Sequence, residues 1–186
     1  MSMTEKQHVY TNVIMAGFGG QGLMFIGKLL AYCAMKRGLN VTWIPSYGPE
    51  MRGGKANCTV VISDEPIGSP VISVPEALII MNNPSLEAFE PALKNGGLLF
   101  VDSTLVTRKI ERKDIEVVTV PADDIAVEIG EKRGANMVML GAYIAKTGII
   151  SENDVADGFK EFFGGKTQYL DVNMKALEKG MNYALK

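Results

Sequence analysis

The segment Gly17-Phe18-Gly19-Gly20-Gln21-Gly22 constrains this chain more than any other. It follows V-Y-T-N-V-I-M-A, a run of β-formers over residues 9–16 that predicts a strand. After it, Leu23, Ile26, Leu30, Cys33 and Ala34 recur at spacings of three and four, which predicts an amphipathic helix over 23–37. A G-x-G-x-x-G cluster at a strand-to-helix junction has a physical use. Glycines let the backbone turn tightly and approach a ligand, and the unpaired N–H groups at the helix start, helped by the helix dipole, face an anion such as phosphate. The same spacing also suits a tight turn whose small residues serve packing alone.

The rest of the chain repeats this grammar. Strands are predicted over 40–44, 56–63, 77–81, 98–101 and 116–120, the continuously apolar 77–81 run being the kind covered on both faces. Helices are predicted over 84–93, 122–132, 136–146, 151–163 and 172–185. Gly38 is placed as a C-cap, Pro84 in a first helical turn, and Ser151 with Asp154 as a capping box. Residues 40–44 are expected to close a strand–helix–strand unit with the first strand. The proline-rich 64–75 stretch is too short to separate domains. The pattern predicts one α/β domain over residues 1–186, Rossmann-like and three-layered, with a mainly parallel sheet and a helical C-terminal part.

Composition removes several classes of function. Nineteen basic against twenty-one acidic residues give a formal charge of −2, so no cationic field recommends nucleic acid or an anionic membrane as partner. The uncharged 7–27 run holds Thr11, Asn12, Gln21 and five glycines, which suits neither a membrane span nor a signal peptide, and the cytoplasm is the expected location. One histidine, His8, excludes a His-based triad or a multi-histidine metal site. Cys33 and Cys58 form no C-x-x-C and read as core residues, so the chain alone cannot ligate an iron–sulfur cluster. No catalytic or metal-binding residue is assigned.

The anion can be narrowed. A dinucleotide site wants an acid near the end of the second strand to hold the ribose, and residues 38–49 contain none. No G-x-x-x-x-G-K-[ST] pattern is present. A second constellation, Ser46-Tyr47-Gly48-Pro49-Glu50-Met51-Arg52-Gly53-Gly54-Lys55, follows that strand, at the sheet end where α/β folds bind ligands. Arg52 offers a planar fork for phosphate or carboxylate, Gly53 and Gly54 permit close approach, and Glu50 can orient Arg52. A solvated turn with a local Glu–Arg pair is the plainer reading. Asn82, Asn83, Asp102 and Ser103 read as turn and cap chemistry, and Asn136 as a helix cap or packing contact.

Gly17-Phe18-Gly19-Gly20-Gln21-Gly22, then Ser46-Tyr47-Gly48-Pro49-Glu50-Met51-Arg52-Gly53-Gly54, then Asn136-Met137-Val138-Met139-Leu140-Gly141 together resemble the gamma subunits of 2-oxoacid:ferredoxin oxidoreductases, from Val9 to about Phe163. The small subunit of indolepyruvate:ferredoxin oxidoreductase carries similar signatures, so the 2-oxoacid stays open. The resemblance implies a subunit, inactive alone, of an enzyme that decarboxylates a 2-oxoacid, passes electrons to ferredoxin and transfers the acyl group to coenzyme A. It implies thiamine diphosphate with Mg on alpha and beta partners, iron–sulfur clusters on a ferredoxin-like delta partner, and coenzyme A at this chain. Gly17, Gly19, Gly20, Gln21 and Gly22 would then cradle phosphates, with Tyr47, Glu50, Arg52, Gly53 and Gly54 on a second wall. The competing functions are a free-standing nucleotide-binding module or small reductase, and a structural spacer.

Overall fold

A strand covered on both faces needs no polar alternation, and β4 (Ala77–Ile80) is buried at all four positions. The computed structural model describes residues 8–46, 56–162 and 169–186. With β1 (Tyr10–Gly17), β2 (Asn40–Ser46), β3 (Ala56–Ser63), β5 (Leu98–Asp102) and β6 (Glu116–Val120), β4 forms a six-stranded sheet of order β2-β3-β1-β4-β5-β6. The pairs β1–β4, β4–β5 and β5–β6 are parallel. β3 runs against both its neighbours. The mainly parallel α/β fold expected from the sequence is therefore present, with one difference. β2 does not lie beside β1, because β3 intervenes and matches β1 from Tyr10↔Ser63 to Gly17↔Ala56.

Successive residues of a strand point to opposite faces, and β1 divides accordingly. Val13 and Met15 join Cys58, Ile79 and Phe100 in a cluster with α1 (Leu23–Lys36), α3 (Ala122–Glu128), α4 (Ala135–Thr147), α5 (Glu152–Phe162) and α6 (Leu170–Ala184). Ile14 and Ala16 join Leu78, Leu99 and Val101 against Leu86 of α2 (Asn83–Phe89) and against Leu93 and Val106. Helices thus cover both faces, giving three layers. Cys33 and Cys58 are free and buried, and burial pushes both thiols up to about 12. Among the described residues no helix is long and apolar enough to cross a membrane.

Local chemistry sets the element ends. The Asn82 Oδ1 accepts the Ser85 N–H at 2.8 Å, with Pro84 in the first turn of α2. Ser151 and Asp154 cap α5 reciprocally, the Asp154 N–H reaching Ser151 Oγ at 3.2 Å and the Ser151 N–H reaching Asp154 Oδ2 at 2.7 Å. Gly38, at φ 80°, ends α1 as expected, while α3 stops at Glu128 rather than at Lys132. The reason is Gly130, also at φ 80°. Its N–H bonds the Val127 carbonyl and the Glu131 N–H bonds that of Ala126, a Schellman closure that releases Lys132 and Arg133 from the helix. α4 and α6 cross backbone to backbone. A Cβ built on Gly180 would lie 1.9 Å from the Val138 carbonyl oxygen, and one on Gly141 2.0 Å from that of Leu177.

Candidate functional site

From β1 the chain builds the sheet in two directions, β3 and β2 on one side and β4 to β6 on the other. The gap between the C-terminal ends of β1 and β4 is therefore a topological switch point, where open α/β sheets bind ligands. The glycine loop sits there and is braced from within. Gln21 Oε1 accepts the Phe18 N–H at 2.5 Å and its Nε2 donates to the Met81 carbonyl at 3.1 Å, tying the loop to the end of β4. Both ends of the Gln21 amide are thus engaged by the protein itself.

The glycines do different things. A Cβ on Gly17 would fall 2.4 Å from Gln21 Oε1, so that position is closed by packing. Gly20 and Gly22 adopt φ 96° and 77°, a region that L side chains rarely enter. Asn136, at the start of α4, donates from Nδ2 to the Gly22 carbonyl at 3.2 Å, and a Cβ on Gly22 would lie 2.2 Å from that nitrogen. The packing role expected of Asn136 is thus a clamp on the loop. Among the described residues nothing lies within 4 Å of a Cβ built on Gly19 or Gly20. The N–H groups of Gly19, Gly20 and Gly22 donate to no acceptor among the described residues.

A cavity of about 130 Å³ reaches the loop, walled by Gly20, Gln21, Met81, Asp123, Lys132 and Arg133. The last two cations stand on the α3–α4 connection, a part of the site with no motif in the sequence, and among the described residues neither side chain forms an ion pair. Asp102, fully buried at the end of β5, accepts the N–H groups of Thr104 and Ala122 on Oδ1, each at 3.1 Å. That is the turn chemistry expected of it. Burial and then the Asp123 carboxyl hold Asp102 well above the usual carboxylate range.

The remaining sequence candidates divide. Tyr47, Glu50, Arg52, Gly53 and Gly54 lie outside the described residues. Their flanks are fixed: Ser46 pairs with Asn57 and Gly17 with Ala56, so β2 ends and β3 begins at the same end of the sheet as the glycine loop. Asn83 is structural, its Oδ1 accepting the N–H groups of Thr107 and Arg108 at 3.0 and 2.9 Å. His8 pairs with Asp64, Nδ1 to Oδ1 at 2.6 Å, on a different side of the fold.

Comparison with known proteins gives this geometry its relatives. Residues 12–183 match the family model described as pyruvate ferredoxin/flavodoxin oxidoreductase. The ketoisovalerate oxidoreductase subunit VorA of Methanothermobacter marburgensis is 40% identical over 94% of the chain, which spans 36% of that relative's own length. The 2-oxoglutarate synthase subunit KorC of the same organism is 36% identical, over 89% of this chain and 91% of its own. The gamma subunit of a keto/oxoacid ferredoxin oxidoreductase from Geobacter sulfurreducens superposes with a TM-score of 0.81 at 30% identity, over 94% of this chain and 98% of that one. The 2-oxoglutarate:ferredoxin oxidoreductase of Magnetococcus marinus, solved with 2-oxoglutarate, coenzyme A and succinyl-CoA bound, gives 0.81 at 25% identity, over 97% of this chain and 32% of that one. These relatives are oxidoreductases or their subunits, and the chain belongs to the pyruvate ferredoxin/flavodoxin oxidoreductase family.

Proposed function

We propose that the chain is the gamma subunit of a thiamine-diphosphate-dependent 2-oxoacid:ferredoxin oxidoreductase, and that it contributes the coenzyme A site for oxidative decarboxylation of a 2-oxoacid to an acyl-CoA. One observation carries this: a glycine loop at the switch point, braced by Gln21 and Asn136, leaves three backbone N–H groups without an acceptor among the described residues. Preorganised donors of this kind suit phosphate oxygens. In this reading Gly19, Gly20 and Gly22 supply donors, while Gly17 and Gln21 hold the loop's shape. Tyr47, Glu50, Arg52, Gly53 and Gly54 form the second wall, with Arg52 on the acceptor's phosphate and Glu50 orienting it. A solved structure similar to this chain has coenzyme A bound, which supports the choice of ligand.

The other cofactors are assigned to partners. An iron–sulfur cluster needs accessible thiolates, and Cys33 and Cys58 are buried in separate elements with thiols raised to about 12. Clusters therefore go to a ferredoxin-like delta subunit, and thiamine diphosphate with Mg to alpha and beta subunits, in a cytoplasmic complex. Titrating coenzyme A calorimetrically into the assembled complex tests the reading. Arg52→Ala is expected to weaken binding about tenfold or more, the scale of one lost charged hydrogen bond. Unchanged affinity removes Arg52 from the site. Turnover by the chain alone favours a free-standing reductase instead.

A further inference from the structure

Lys132 and Arg133 are two adjacent cations without carboxylate partners among the described residues, and they wall the cavity that reaches Gly20. The acid nearest in sequence is occupied elsewhere: Glu131 Oε1 accepts the Arg133 backbone N–H at 3.0 Å. Their segment is also held in place. The Schellman closure at Gly130 starts it, and the Gly134 N–H bonds the Glu131 carbonyl at 2.8 Å before α4 begins. We propose that Lys132 and Arg133 are a phosphate clamp facing the glycine loop, by which this chain selects a phosphorylated acyl acceptor over the phosphate-free thiol arm of the same molecule. The inference rests on the coenzyme A reading and adds to it the residues that determine specificity.

Charge and size both support the clamp. Among the described residues that line the cavity Asp123 is the one acid, a single carboxyl against two cations. Asp124 and Glu128, further along α3, line a different cavity with Lys179 and Lys186 of the chain's end and leave this balance alone. At about 130 Å³ the cavity beside the loop has room for a phosphate group. A larger cavity of about 590 Å³ adjoins it through the same Lys132 and Arg133, with Phe25, Phe159 and Tyr169 in its walls. Aromatic walls suit a planar base, so a nucleoside phosphate fits with its phosphate at the shared cations.

The test measures KM for coenzyme A and for pantetheine in the assembled complex, wild type against Lys132→Ala, Arg133→Ala and the double variant. Both side chains are exposed, so the variants are expected to fold. Each single change should raise KM for coenzyme A about tenfold and the double about a hundredfold, with pantetheine moving less than about twofold. The selectivity ratio between the acceptors should collapse while kcat at saturation holds. An unchanged ratio overturns the clamp, and so does an equal loss for both acceptors. Gly20→Ala separates the two levels of inference. If it raises KM for coenzyme A while the cation variants do not, the clamp fails and the loop reading stands; if neither does, the loop reading itself fails.

Discussion

Replacing Gly180 by Ala places a methyl group against main chain. The new Cβ would stand 1.9 Å from the Val138 carbonyl oxygen and 2.7 Å from its carbonyl carbon, so no side-chain rotation relieves it. To bring the new Cβ out to ordinary contact with that oxygen at 3.4 Å, α6 must retreat from α4 by about 1.5 Å. The retreat opens the layer holding Ala176, Leu177 and Val138, all fully buried. Overpacking of this kind costs about 1–3 kcal/mol, and rigid backbone puts this case at the upper end. Alanine's better helix propensity returns about 1 kcal/mol, leaving about 2 kcal/mol net. For a chain of this length that is a fall in Tm of about 4–8 °C by circular dichroism. Gly141→Ala, opposed at 2.0 Å by the Leu177 carbonyl, should behave alike. One retreat relieves both, so the double variant should lose less than the sum of the singles. Gly68→Ala, which meets nothing within 4 Å, serves as the control. Single variants that melt within about 1 °C of wild type refute the reasoning.

Further outcomes follow from the site. Asn136→Ala removes the donor to the Gly22 carbonyl and the acceptor of the Met137 N–H, at a cost of about 1–3 kcal/mol, and should raise KM for coenzyme A several-fold in the complex. A lower Tm with unchanged KM would leave the clamp with stability alone. Asp102 has a folded pKa raised to about 7 against about 4 unfolded. Between those values the native state binds the extra proton, so the stability contributed by protonated Asp102 is present at low pH and lost as pH rises to about 7. Asp102→Asn keeps the Oδ1 acceptor without the proton and should flatten this part of the Tm–pH curve; an unaltered slope contradicts the raised Asp102.

The sequence carries the local units of this fold more clearly than their assembly. The strands at Ala56–Ser63 and Glu116–Val120 match the expected bounds because β-rich runs between turn residues set them. Asn82, Gly38 and the Ser151–Asp154 pair announce their helix ends through short-range hydrogen bonding. The insertion of β3 between β2 and β1 is a long-range pairing, and nothing in residues 40–46 distinguishes one neighbour from another. The overrun of α3 to Lys132 has a local cause: Glu131 and Lys132 are good helix formers, but the positive φ of Gly130 stops the helix before them.

The site shows the same division. Its glycine loop is visible as a motif, with its strand on one side and its helix on the other. The Gln21 amide reads as a ligand contact in the sequence, yet it binds Phe18 and Met81, because Met81 comes close only when β4 pairs with β1. Asp102 reads correctly as a turn residue through its bond to Thr104, while the Asp123 carboxyl that adds to the rise of its pKa comes from another element. Lys132 and Arg133 look like any solvated pair near a helix end until α3 stops short and turns them to the loop.

The central claim is that the Gly19, Gly20 and Gly22 N–H groups receive the acceptor's phosphate. Amide hydrogen exchange of the assembled complex, with and without saturating coenzyme A, reads those groups directly. Slower exchange across 19–22 on adding coenzyme A, with pantetheine giving no such slowing, is the result expected. Equal exchange rates at these glycines, in a complex that demonstrably binds coenzyme A, would place the phosphate on some other surface and contradict the account.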